Sequence, residues 1–260
     1  MKVPKERVDV LLVNRGLVES RAKAQALLMA GRVFVGEVRV DKPGTMLPND
    51  SPLEVRGELN PYVSRGGLKL EGALRELAHL GLDPTGKVAV DVGASTGGFT
   101  DCLLRHGAVK VYAIDVGHGQ LHAKLRSDPR VVSMEKTNAK SVTAATFAEP
   151  IELGVVDASF IGLRQLAASL AAMLAPNALL CAMVKPQFEV GREVARRAKG
   201  VIRDEDERAA AIQSATEALV EHGFTILGSC DAPISGPKGN LEHFVLARRL
   251  LRESVDSNES

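Results

Sequence analysis

The sequence lacks any run approaching the roughly 18 to 20 uninterrupted apolar residues that a bilayer-spanning helix needs. Its start, MKVPKERVDV, has no apolar core of the kind found in secretion signals. Residence in the cytoplasm, with no membrane partner, is therefore expected. Cysteine is also scarce: Cys102, Cys181 and Cys230 are far apart, odd in number and form no CxxC pair. That excludes a disulfide framework and argues against a zinc site, so no metal is expected and the three are read as small buried apolar residues. No internal repeat is visible, and nothing in the sequence sets an oligomeric state. The net charge of +1 is close to zero, so no global electrostatic pull toward a polyanion follows from it.

The charge is unevenly placed. Residues 1 to 35 hold seven basic side chains (Lys2, Lys5, Arg7, Arg15, Arg21, Lys23, Arg32) and three acidic ones (Glu6, Asp9, Glu19). That is +4 in this stretch, with −3 for the remainder. A basic end suits contact with a nucleic-acid backbone, and equally a solvated helix face. With 45% apolar and 25% charged residues, the 260-residue chain can bury a core, and its length accommodates one large and one small domain.

Val8, Leu11 and Leu12 form a helical stripe that closes at Gly16. Ser20 is placed as the N-cap of a second helix, RAKAQALLMA, which Gly31 stops. Alternation at Val33 and Val35, and again at Val38 and Val40, predicts a hairpin. The segment RVDVLLVNRGLVESRAKAQALLMAGRVFVGEVRVDKPG resembles the RNA-binding domain first seen in ribosomal protein S-four, over about residues 6 to 58. The resemblance implies a small α+β RNA-binding domain at residues 1–58 that presents Arg15, Ser20, Arg21, Lys23, Gln25 and Arg32 to RNA. A linker at 59–64 follows.

From Tyr62 the pattern changes. Leu70, Leu74, Leu77 and Leu80 mark an amphipathic helix, and from residue 87 apolar runs alternate with helical stretches. Strands are predicted at VAVDV, VKVYAID, 131–134, 153–157 and 178–184. Helices are predicted at about 98–106, 162–174 and 205–222, and FTILGSC with LEHFVLARRL forms a closing hairpin. This is a doubly wound α/β domain over 65–252, with a mostly parallel sheet. A disordered tail is expected at 253–260.

The turn after the first strand of that sheet reads Asp91-Val-Gly-Ala-Ser-Thr-Gly-Gly-Phe-Thr. Small residues here let the backbone turn tightly at the sheet edge where doubly wound proteins bind ligands. The spacing is not GxGxxG, and a carboxylate beside a pyrophosphate would be repelled. The cationic amino-acid end of S-adenosylmethionine tolerates it. The expected cofactor is therefore S-adenosylmethionine, held by Asp91, Gly93, Ala94, Ser95, Thr96, Gly97, Gly98 and Phe99. Asp115 is placed for its ribose hydroxyls, and Asn138, which is also a natural turn residue, for its adenine or ribose.

Asp157 ends VVDASFIGL, Lys185 ends CAMVKPQFEVG, and Glu242 begins the last strand, so all three are expected at the cofactor edge. Lys69 on the opening helix completes a Lys-Asp-Lys-Glu set. SRGGLKL, DVGASTGGFTD, AIDVGHGQL, VVDASFIGL, VKPQFEVGR and GPKGNLEHF together resemble the FtsJ-type ribose 2′-O-methyltransferases and, with the N-terminal module, their TlyA (hemolysin A) branch. The resemblance implies a Rossmann-like methyltransferase sheet and methyl transfer to cytidine ribose hydroxyls of ribosomal RNA, alone or in ribosomal subunits. It also implies Lys69, Asp157, Lys185 and Glu242 as the catalytic tetrad. Two ammonium groups suit a weakly acidic hydroxyl, by stabilising developing negative charge or by accepting its proton. Phe160 and Phe188 are candidates for stacking on a base, and core packing is the other reading for Phe160. The sequence departs from the branch at His118, where a tyrosine is expected, and in EVGREVARRAKGVIRD, where Arg192, Arg196, Arg197 and Lys199 replace a glycine-rich flexible loop and can contact phosphates. A non-catalytic ribosome-assembly factor, a methyltransferase for another acceptor and a pore-forming hemolysin are the rival readings.

Overall fold

The computed structural model describes residues 3–56, 60–236 and 238–250, and leaves the side chain of Arg192 aside. The expected tail at 253–260 lies outside these residues. The chain divides into two compact units, Met1–Leu59 and Asn60–Ser260.

In the first unit, strand β1 (Lys5–Arg7) leads into α1 (Val8–Asn14) and α2 (Arg21–Met29). β2 (Val33–Val35), β3 (Val38–Val40), β4 (Met46–Pro48) and β5 (Leu53–Val55) follow. Ser20 caps α2 as expected, its hydroxyl accepting from the Lys23 amide at 3.3 Å. The stripe of Val8, Leu11 and Leu12 is buried against Ala24 and Leu28 of the second helix. The expected hairpin pairs Val33 with Val40. Two pairings were not legible in the sequence: β1 with β4, and β2 with β5. Those pairings join residues far apart in the chain, which local alternation does not report.

The second unit opens with α3 (Arg65–Leu77), whose Leu70, Leu74 and Leu77 are buried. Leu80 falls in a following 3-10 turn rather than in the helix itself. Residues 60–64, expected as linker, belong to this unit, because Tyr62 is buried in its core and Asp101 accepts a hydrogen bond from the Val63 amide. The elements that follow are β6 (Val88–Val92), α4 (Gly98–Arg105), β7 (Lys110–Ile114), α5 (Ala123–Arg126), β8 (Val131–Met134) and β9 (Ile151–Val156). Next come α6 (Ala167–Met173), β10 (Leu174–Val184), α7 (Pro186–Glu189), α8 (Arg192–Arg197) and α9 (Glu205–Glu221). β11 (Phe224–Asp231) and β12 (His243–Arg249) end the described fold.

The seven-stranded sheet has the order β11-β12-β10-β9-β6-β7-β8. Its strands from β8 across to β10 run parallel, and the closing hairpin is antiparallel. Side chains alternate between two cores. Val90 and Val92 enter one with α6 and α9, whereas Ala89 enters the other with α3 and α4. Because both faces are covered, the central strands read as continuous apolar runs.

Helix α3 can lie against α4 only because glycine stands where the two meet. A Cβ at Gly98 would come within 2.9 Å of the Gly67 amide, and one at Gly67 would sit 2.5 Å from Tyr62 Cδ2. Gly67→Ala is accordingly expected to lower stability by about 2 kcal/mol through overpacking, read as a shift of the chemical-denaturation midpoint.

Candidate active site

Strand register brings the chemistry to one edge. β9 pairs with β10 in parallel, and β6 with β9, so the residues just after Val92, Val156 and Val184 emerge side by side at the carboxyl ends of the strands. β12 runs antiparallel to β10 with His243 opposite Val184, which delivers the start of β12 to the same edge. Glu242 stands one residue before that strand rather than in it.

The expected Lys-Asp-Lys-Glu set resolves into two ion pairs. The Lys69 ammonium bonds the Glu242 carboxylate, both side chains being buried. Lys185, also buried, approaches Asp157 Oδ1 to 2.6 Å and donates to Ser159 Oγ at 2.9 Å and to the Asp157 carbonyl at 3.3 Å. Removing one partner of the buried Lys69–Glu242 pair leaves an uncompensated charge, typically a cost of about 3–5 kcal/mol, whereas Asp157 in the second pair is only half-buried. All four side chains line a cavity of ≈ 330 Å³ with Ser64, Gly93, Ala94, Ser95, Thr96, Gly98 and Phe99.

A second, larger cavity of ≈ 590 Å³ adjoins it, and shares Gly93, Ser95, Asp157 and Ser159 with the first. Asp115 and Asn138 line it, together with Val116, Gln120, Thr137, Ala139 and Lys140, which sequence reasoning had not singled out. Asp115 accepts from the Ser95 amide at 2.8 Å and the Gly117 amide at 2.7 Å. Asn138 does act as a turn former, its side chain accepting from the Lys140 amide. Glu135, another residue with no warning in the sequence, gathers the amides of Gly119, Gln120 and Leu121 and the His118 ring. These donors, the Gly119 amide foremost, hold its carboxyl down at about 2. His118, the departure from the expected tyrosine, is thus tied to the loop's organiser.

The glycines of the turn serve different ends. Gly93 has φ +87°, and a Cβ there would lie 2.9 Å from the Asp157 carbonyl, so only glycine allows the turn to cross β9 at the cavity floor. Gly97, expected at the ligand, lines neither cavity. A Cβ there would meet Leu121 Cδ1 at 2.8 Å, so packing demands that glycine. Asp91 also lines neither cavity and is fully buried. Thr100 donates to its Oδ2 at 2.7 Å, while Oδ1 has no partner.

A family profile described as FtsJ-like methyltransferase matches residues 62–249. The chain belongs to that family. The S4 domain profile matches residues 6–49. YqxC of Bacillus subtilis, to which rRNA methyltransferase activity is ascribed, is 46% identical over 93% of this chain and 85% of its own. The 16S/23S rRNA (cytidine-2′-O)-methyltransferase TlyA of Mycobacterium tuberculosis is 40% identical over 93% of this chain and 89% of its own. A solved Streptococcus thermophilus protein, ascribed a hemolysin role, superposes with a TM-score of 0.73 at 41% identity, covering 95% of this chain and 90% of its own. The protein is a methyltransferase, and its cofactor is S-adenosylmethionine.

The site of this FtsJ-like enzyme fits that cofactor. Asp115 offers acceptor oxygens in a cavity of ligand size, and the tight turn that Gly93 permits forms part of its wall. Among the described residues no cluster of His, Cys, Asp or Glu could hold a metal, and no helix is long and apolar enough to cross a membrane.

The S4 domain uses its arginines partly on itself. Asp9, fully buried, accepts from Arg7 at 2.9 Å, Arg21 at 3.0 Å and Gln25 at 3.1 Å. The Arg7 guanidinium, more than any other neighbour, holds the Asp9 carboxyl far below the usual carboxylate range. Arg15 donates to the carbonyls of Asn49 and Ser51. Arg32 is exposed and Lys23 half-buried. Of the six expected RNA contacts, then, Arg15, Ser20, Arg21 and Gln25 also have structural work to do.

Burial raises the Asp91 carboxyl from its ordinary 3.8 to about 7, with Asp157 and Asp115 adding to the effect. A raised carboxyl holds a proton in the folded state that the unfolded chain releases. Its contribution therefore lowers stability as pH rises from about 4 to about 7, by at most about 1.4 kcal/mol per pH unit. Urea midpoints of the unliganded protein should fall across that window, and Asp91→Asn should flatten the slope.

Proposed function

We propose that the enzyme transfers the methyl group of S-adenosylmethionine to a ribose 2′-hydroxyl of ribosomal RNA, with cytidine as the acceptor, and that it does so in the cytoplasm. The observation that carries this reading is the pair of lysines at one sheet edge, each held by its own carboxylate, beside the glycine turn. A nitrogen acceptor is already nucleophilic and has little use for two ammonium groups. A hydroxyl is a weak acid whose oxygen gains negative charge as it attacks, and preorganised cations in a poorly hydrated pocket stabilise that charge. The naming of the Mycobacterium tuberculosis relative as a cytidine-2′-O-methyltransferase of 16S and 23S rRNA supports the same acceptor.

When bound, the sulfonium cofactor supplies an electrophilic methyl carbon. Lys185 faces the acceptor hydroxyl and offsets the charge on its oxygen. Asp157 and Ser159 aim that ammonium, and Lys69 with Glu242 forms the opposite wall. Gly93 and Asp115 hold the cofactor. Phe160 is 92% exposed, with its ring centroid 5.5 Å from that of Phe188. Core packing is thereby ruled out for Phe160, and the pair is available to stack on an unpaired base. The S4 domain brings the RNA through Lys23, Arg32 and the outer edges of Arg15 and Arg21.

The test is methyl transfer from labelled cofactor to ribosomal subunits and to naked ribosomal RNA, with the product mapped by alkaline hydrolysis. Wild type should leave an alkali-resistant linkage, and Lys185→Ala should lower the rate by at least about 100-fold, the usual cost of one donor at a developing oxyanion. Tight RNA binding by wild type with no label transferred would favour an assembly factor, and a base-methylated product would move the acceptor to nitrogen.

A further inference from the structure

Residues 186–203, expected as a loop whose arginines replace glycines, form two short helices, α7 and α8, that are fastened at both ends by side chains from elsewhere. At the start, the Glu189 carboxylate accepts from the Leu163 amide and so caps the 3-10 turn Leu163–Gln165, immediately after the exposed Phe160. This contact requires glycine at 162, where a Cβ would lie 2.7 Å from Glu189 Oε2 and 2.9 Å from the Phe188 carbonyl. At the far end, Asn240 is 2% exposed and uses both halves of its amide. Its Oδ1 accepts from the Ile202 amide at 2.9 Å, and its Nδ2 donates to the Gly200 carbonyl at 2.8 Å.

Asn240 also belongs to the turn that sets Glu242. Its carbonyl accepts from the Gly236 amide at 2.9 Å, and Gly236 leaves room for the Glu242 carboxylate, which a Cβ there would meet at 2.8 Å. Glu189 therefore joins the segment to the side of the site that carries Asp157, and Asn240 joins it to the side that carries Glu242. The ring of Phe188 stands immediately before the first anchor, and the exposed cations Arg196 and Lys199 stand between the two. A third strut, the Arg197–Glu207 ion pair, ties α8 to α9.

On the reading that the acceptor is RNA, we propose that Glu189 and Asn240 are positioning residues that hold 186–203 as a fixed arch on the acceptor side. The arch lets Phe188, Arg196 and Lys199 meet the RNA backbone and target nucleotide in one geometry. A segment ordered before binding does not have to be ordered by it, so the anchors act on acceptor affinity and leave cofactor binding alone.

The full-length Glu189→Ala, Glu189→Gln and Asn240→Ala variants test this, with naked ribosomal RNA as the probe. For the two alanine variants, the RNA KM and filter-binding Kd should rise by roughly tenfold, with kcat within about threefold of wild type and the cofactor Kd, read by calorimetry, unchanged. Amide exchange should accelerate at Leu163 for the first and at Ile202 for the second. Glu189→Gln, which keeps an acceptor for the Leu163 amide, should recover most of the RNA affinity. Accelerated exchange with unchanged RNA affinity would overturn the proposal, as would a parallel loss of cofactor affinity. If an alanine variant fails to fold, the surface variant Arg196→Gln/Lys199→Gln decides: RNA binding should weaken, and unchanged binding counts against the arch. A wild-type protein that binds RNA and transfers no methyl refutes the methyl-transfer reading, while the filter-binding arm still judges the arch on its own.

Discussion

A buried ammonium beside a buried carboxylate couples the first helix of the catalytic unit to its last strand. Lys69 and Glu242 are 173 positions apart, and neither is stable in a dry interior without the other. Their pairing requires α3 to lie across the sheet edge, which in turn requires the glycines where α3 meets α4 and the turn that delivers Glu242 to the site. The second pair, Lys185 with Asp157, depends on the parallel register of β9 and β10. Two ion pairs thus join α3 and the ends of β9, β10 and β12 around one cavity.

Electrostatics divides the neighbouring cavities. The larger is bordered by carboxylates: Asp115 lines it, Glu135 braces its loop, and Asp91 lies buried behind the glycine turn. The smaller holds both ammonium groups with their paired carboxylates, and Arg65 beside them leaves it cationic. A cationic cofactor is suited to the acidic side, and an acceptor that develops negative charge to the basic side.

Much of the fold was legible in the residues. Helical stripes at Val8, Leu11 and Leu12 and at Leu70, Leu74 and Leu77 face the cores as read, and the alternation of apolar runs with helical stretches describes the doubly wound sheet. The pairings of β1 with β4 and of β2 with β5 escaped because they join residues far apart in the chain, and α8 escaped because an arginine-rich segment looks solvated until something anchors it. The proposed tetrad was named from motif order by resemblance, since each member alone reads as an ordinary surface charge. Glu135, Glu189 and Asn240 gave no signal, because their work is to bind backbone amides and carbonyls, and any acidic or amide side chain carries that capacity.

The sequence by itself determined the longer secondary elements, the kind of cofactor and the stock of charged groups, because periodicity, turn chemistry and local charge are properties of neighbours along the chain. Only the tertiary structure decided who pairs with whom. It assigned Lys69 to Glu242 and Lys185 to Asp157, turned Gly97 toward leucines instead of a ligand, exposed Phe160, and committed Arg15 and Arg21 to internal partners. These outcomes depend on distances between residues far apart in sequence, set by strand register and helix packing, which no local pattern encodes.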